Sequence, residues 1–99
     1  MSMIVGTCRI TLHLPENHSL KGKRQILRSI IARVRNEFGV AVAEIEDQDL
    51  WQRAVIGLAY VSNDAGHANE VLSKAVNFVE RAHADAELLD YELEILYPF

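Results

Sequence analysis

The sequence has one cysteine, Cys8, so no internal disulfide can form and no thiolate pair exists to hold a metal. Set among alternating apolar residues, Cys8 reads as a small buried hydrophobe rather than a catalytic thiol. Proline occurs only at Pro15 and Pro98 and glycine five times, which leaves no linker, repeat or low-complexity stretch between domains. No apolar run approaches a membrane span. The start, MSMIVGTCRITLHL, has no Lys or Arg ahead of its apolar residues, so a signal peptide does not fit and a cytoplasmic, membrane-free protein is expected. The sharpest absence is of acid. HSLKGKRQILRSIIARVR, from His18 to Arg35, carries Lys21, Lys23, Arg24, Arg28, Arg33 and Arg35 and no carboxylate, in a chain whose formal net charge is −4. The remainder has four bases against fourteen acids, so one segment attracts anions and the rest repels them.

What is present is the make-up of one globular domain spanning residues 1–99, with 49% hydrophobic and 24% charged residues. From Ile4 to Leu14 small or apolar residues alternate with Thr7, Arg9, Thr11 and His13, the period of a half-buried strand that Pro15 stops. Ser19 is placed to cap a helix in which Leu20, Leu27, Ile30, Ile31, Val34 and Phe38 recur at helical spacing, and Gly39 to end it. Val40 to Ile45 predicts a second strand, Glu46 to Leu50 a polar connection, and Trp51 to Val61 a third strand. Ser62-Asn63-Asp64 supplies caps for a second helix with Ala68, Val71, Leu72, Ala75, Val76 and Val79 inward. In the last strand Leu89, Tyr91, Leu93 and Ile95 alternate with Asp90, Glu92 and Glu94. The order is βαββαβ. It predicts an α+β, ferredoxin-like sandwich with two helices on one face of a four-stranded antiparallel sheet.

Three segments, MIVGTCRITLHLPENHSLKGKR, AVAEIEDQDLWQRAVIGLAYVSND and LLDYELEIL, together resemble the YlxP-like family of small bacterial proteins of unknown function. The resemblance covers essentially the whole chain and implies a ferredoxin-like fold and an association with translation. It carries over no catalytic residue.

Several chemistries can be weighed on the residues themselves. Acylphosphatases of this size hold phosphate in a glycine-bearing loop with an arginine and position water with an asparagine. Here Arg24 and Asn63 are of the right types, but the loop Pro15-Glu16-Asn17-His18-Ser19 has no glycine cradle. His13, His18, His67 and His83 show no HxxxH or HExxH spacing, and the acidic run Glu44 to Asp49 lacks the calcium-loop pattern, so no metal and no cofactor is expected. Trp51 reads as a partly buried strand residue rather than a stacking platform. The exposed sheet face offers Thr7, Arg9, Thr11, His13 and three acids, not the aromatics of an RNA-recognition sheet.

The first helix carries the functional expectation. Lys21, Arg24, Arg28 and Arg35 fall near one line along its surface, with His18 and Lys23 at its start, and together they predict a phosphate track for a non-enzymatic domain docking on structured RNA, such as ribosomal RNA in a ribosomal particle. The bland alternative is a solvated face with Arg33 pairing Glu37 and the other bases reaching acids of neighbouring elements. Lys21, Lys23 and Arg24 also oppose the helix dipole, at roughly 0.3–1 kcal/mol each when exposed, so something outside the helix is expected to compensate them. The competing classes are an acylphosphatase-like hydrolase or small-anion binder at the helix start, and a homo-oligomeric module. For the last, strand three is apolar on both faces, and Val5, Val55, Ala59 and Val61 predict a homodimer patch on the open sheet face.

Overall fold

The side-chain period of two sets the faces of the first strand. In β1 (Ile4–His13) Ile4, Gly6, Cys8, Ile10 and Leu12 turn toward the helices, and Val5, Thr7, Arg9, Thr11 and His13 toward the open side. A computed structural model describes residues 2–99, in which β1 is followed by α1 (Leu20–Phe38), β2 (Ala41–Glu46), β3 (Arg53–Ser62), α2 (Ala65–Arg81) and β4 (Glu87–Leu96). All neighbouring strands pair antiparallel in the order β2-β3-β1-β4. Both helices cover the same face, so the architecture is the ferredoxin-like sandwich. Leu27, Ile30 and Val34 of α1 meet Leu72, Ala75 and Val79 of α2 over Ile10, Ile56 and Leu58 of the central strands. A Cβ on Gly6 would lie 2.6 Å from Leu72 Cδ1; the missing side chain there lets α2 settle onto β1.

The helix ends follow the capping residues. Ser19 Oγ accepts the Gly22 amide at 2.9 Å, and Asp64 Oδ2 accepts the His67 amide at 3.3 Å. Gly39 takes φ 64°, a left-handed C-cap whose amide donates to the Arg35 carbonyl. Burial pushes the Cys8 thiol up to about 11, which suits an inert core position. Among the described residues no helix is long and apolar enough to cross a membrane.

Two strand expectations change. Trp51 and Gln52 belong to the β2–β3 connection, not to β3, which starts at Arg53. In β4 the register slips between Thr11 and Leu12, so that Thr11 pairs Asp90 while Leu12 pairs Leu88. Leu89 is therefore the extra residue of a bulge and is 53% exposed; Leu88 takes its inward place. Tyr91 is half exposed because β4 is an edge strand.

Candidate nucleic-acid interface

Successive residues of a helix turn by about 100°, which puts Lys21, Arg24, Arg28 and Arg35 within about 60° of arc on one flank of α1. All four are exposed, and the track rises about 21 Å from Lys21 to Arg35. Among the described residues none of the four forms an ion pair, because α1 has no acid before Glu37. The flank lies against β2. Arg35 Nη2 donates to the Val42 carbonyl at 3.0 Å, covering part of that edge strand while leaving its other donors free. His18 is exposed in the loop ahead of the helix. Arg33 lies on the other flank, where it donates to the Ala82 carbonyl and lies over the Phe78 ring, 5.2 Å from its centroid; the expected pair with Glu37 is not formed.

Lys23 leaves the track altogether. It shares the inward stripe with Leu27, Ile30 and Val34 and is 1% exposed, so it has no surface to offer a phosphate. Its Nζ donates to the carbonyls of Asp47, Leu50 and Arg53 at 2.6, 2.7 and 3.0 Å, and lies 2.9 Å from Glu44 Oε2. Three ammonium protons serve the three carbonyls, so Glu44 Oε2 is held by charge without a directed hydrogen bond. For Lys23, this cluster of oxygens is the compensation expected for a cation opposed to the helix dipole.

The same contacts clasp the β2–β3 connection onto the start of α1. Asn17 Nδ2 donates to the Ser19 and Trp51 carbonyls, Gln52 Nε2 to the Pro15 and Asn17 carbonyls, and the Leu14 amide to the Gln52 carbonyl. Asp47 turns the connection with φ 59°, a left-handed conformation that aspartate tolerates, and its carboxylate holds Arg53 Nε at 2.9 Å. Gly22 leaves room for Asn17: a Cβ there would stand 2.3 Å from Asn17 Oδ1 and push that amide aside. HSLKGKR and DQDLWQR thus form one interlocked end of the molecule. Trp51 is 54% exposed, not partly buried in a strand, and with His13, Asp49, Leu50, Gln52 and Arg53 it lines an open hollow of about 500 Å³.

On the open sheet face, Val61, Val5 and Leu96 stand in one row across β3, β1 and β4, Val61 being 61% exposed. Ala59 is partly exposed in the next row. Val55 does not belong to the patch. It is 2% exposed, between Thr11 on β1 and Glu46 on β2, whose flanking side chains shelter it. Arg9 holds the centre of this face between Glu92 and Glu46, and the Glu92 carboxylate raises its pKa further. The role of Lys23 and the parts of Asn17, Gln52 and Leu96 were missed from sequence. Only Lys23 carried a signal, its place on the apolar stripe.

The acylphosphatase-like pairing is not assembled. Asn63 follows the end of β3 beside Ile4, whereas Arg24 follows the loop after His13, so ten residues of strand, about 30 Å, separate the two ends. Among the described residues no group of three or more His, Cys, Asp or Glu could hold a metal ion.

Comparison with known proteins gives the fold and the family. The designed protein Foldit4 superposes with a TM-score of 0.56 at 13% identity, over 95% of this chain and 96% of that one. Protein SO0527 from Shewanella oneidensis superposes with a TM-score of 0.52 at 12% identity, over 97% and 90%. In sequence, the uncharacterized protein YlxP of Bacillus subtilis (strain 168) is 40% identical over 62 residues, 63% of this chain and 67% of that protein. The model of the DUF503 family, proteins of unknown function, matches residues 5–93, and together with the YlxP relative it shows that the chain belongs to that YlxP-like family.

Proposed function

We propose that this chain is a non-enzymatic accessory domain that docks on structured RNA, as a ribosomal particle presents it, through the exposed flank of α1. The observation that carries the reading is the unpaired state of Lys21, Arg24 and Arg28 in a chain whose other elements are rich in acid. With three or four phosphate contacts, counterion release gives a slope near −0.9 per contact, so affinity for a ribosomal RNA fragment should fall roughly 40- to 150-fold between 50 and 200 mM salt. Arg28→Ala should lessen that slope by about one for every RNA sequence alike, and Arg35→Ala should do so partially because Val42 already holds one of its donors. A salt-independent affinity, or binding of free phosphate that ignores Arg28 and Arg35, would defeat the reading. His18, Lys21 and Arg24 would then remain as a small-anion site at the helix start.

A second reading rests on the row Val61, Val5 and Leu96, an apolar strip left uncovered on a sheet face. It serves a homodimer pairing sheet to sheet. Light scattering at micromolar concentration should report the dimer, and Val61→Glu should return it to monomer; a protein that is monomeric at every concentration removes the idea.

A further inference from the structure

We infer that the outer edge of β4 is a docking site for an extended segment of a partner protein, added as a fifth strand with basic side chains opposite Asp90 and Glu94. The site stands apart from the RNA reading and from its surface. In the order β2-β3-β1-β4, α1 lies against β2 at one end of the sheet and β4 forms the other.

A strand at the end of a sheet leaves every second backbone N–H and C=O without a partner, and folded chains blunt such edges. The β2 edge is blunted in three ways. It has six residues, its pairing with β3 slips between Glu44 and Glu46, and Arg35 donates to the Val42 carbonyl. β4 has ten residues, and after the bulge at Leu89 its register with β1 runs unbroken over residues 90–96. Among the described residues only β1 forms hydrogen bonds with the β4 backbone. The open stretch is long enough to seat an added strand of ordinary length, about 5–6 residues.

The side chains select the occupant. Toward the open face β4 turns Asp90, Glu92 and Glu94. Glu92 is met by Arg9, directly opposite on β1. Asp90 and Glu94 stand opposite Thr11 and Thr7, and among the described residues they form no ion pair. Toward the helices Tyr91 is 49% exposed, and Leu93 and Ile95 are only partly covered. A segment that alternates bases with apolar residues matches both faces at once. Its bases pair the carboxylates across strands, as Arg9 pairs Glu92, and its apolar side chains extend the cover over Tyr91 and Leu93. A second copy does not fit. Two β4 strands paired antiparallel in one continuous sheet would set carboxylates against carboxylates, which opposes pairing.

The test uses three peptides of about nine residues: one alternating Lys with Val, one alternating Glu with Val, and one with the composition of the first in two blocks. Amide hydrogen exchange followed by NMR reads where each binds. The alternating basic peptide should slow exchange at every second amide of residues 90–96 and leave the β2 amides unchanged, whereas the other two should protect neither edge. Asp90→Lys/Glu94→Lys should weaken the basic peptide about 2- to 30-fold, the effect of two cross-strand charge pairs, and make the acidic peptide the tighter of the two. Both side chains are exposed and unpaired, so the variant should melt with the wild type. No protection by the basic peptide at millimolar concentration, or equal binding in the variant, overturns the site. Equal binding of the blocked peptide reduces the contact to charge attraction and overturns the added strand. Protection that arises in the protein alone as its concentration rises puts a second copy on the edge and overturns the choice of partner.

Discussion

Lys23→Met is expected to cost about 3–5 kcal/mol of folding stability, the range for removing one partner of a buried ion pair. Methionine keeps most of the stem that packs beside Leu27 and Ile30, so the loss is electrostatic and not a cavity. What remains is the Glu44 carboxylate facing its empty partner and the carbonyls of Asp47, Leu50 and Arg53 without their donor. Each stranded polar group carries its own desolvation penalty. Small domains have only about 5–15 kcal/mol in total, so urea unfolding should show a large fall in midpoint, and melting should drop by more than about 12 °C. The double variant Lys23→Met/Glu44→Leu should recover part of the loss, since it removes the orphaned charge but not the orphaned carbonyls. A cost below about 1 kcal/mol would mean that Lys23 behaves as a solvated surface lysine, for which the helix dipole alone predicts a slight gain on removal.

The opposite balance holds on the exposed flank. Lys21→Glu/Arg24→Glu/Arg28→Glu should abolish measurable binding to ribosomal RNA at 150 mM salt, because three attractive contacts become repulsive and counterion release is lost with them. The fold should not suffer. None of the three side chains has a carboxylate partner to lose, and of the new acids the one at position 21 lies in the first turn, where it matches the positive end of the helix, worth about 0.3–1 kcal/mol. A variant that melts no lower than the wild type yet no longer co-sediments with the RNA separates docking from misfolding. Retention of binding in this variant would mean that another surface carries it.

Lys21 and Lys23 stand two residues apart, and their opposed predictions come from the helical turn. The step between them is about 200°, which sends Lys21 to solvent and Lys23 to the core. That much was legible in the sequence, since Lys23 shares the angle of Leu27, Ile30 and Val34. The two helices, the four strands, Ser19 and Asp64 as caps and Gly39 as terminator were legible for the same reason: side-chain periods of 3.6 and two, and capping chemistry, are local properties. The exposed basic line of Lys21, Arg24, Arg28 and Arg35 followed from spacing alone.

Tertiary structure decided the rest, because each remaining feature depends on atoms far away in the chain. The oxygens around Lys23 come from residues 44–53, and no local rule foretells that the β2–β3 connection folds back onto the α1 start. Leu89 alternates perfectly with its neighbours, yet the β1–β4 register slips and a bulge turns it outward. Val55 and Val61 sit on the same face of the same strand, but Thr11 and Glu46 shelter the first while the second lies toward the sheet's end, so composition could not tell them apart. Trp51 has the residue type of a buried strand position, and only the clasp through Asn17 and Lys23 holds it in the connection with its ring exposed. Periodicity fixes which way a side chain points from its own element; whether anything stands there to meet it is set by how distant elements pack.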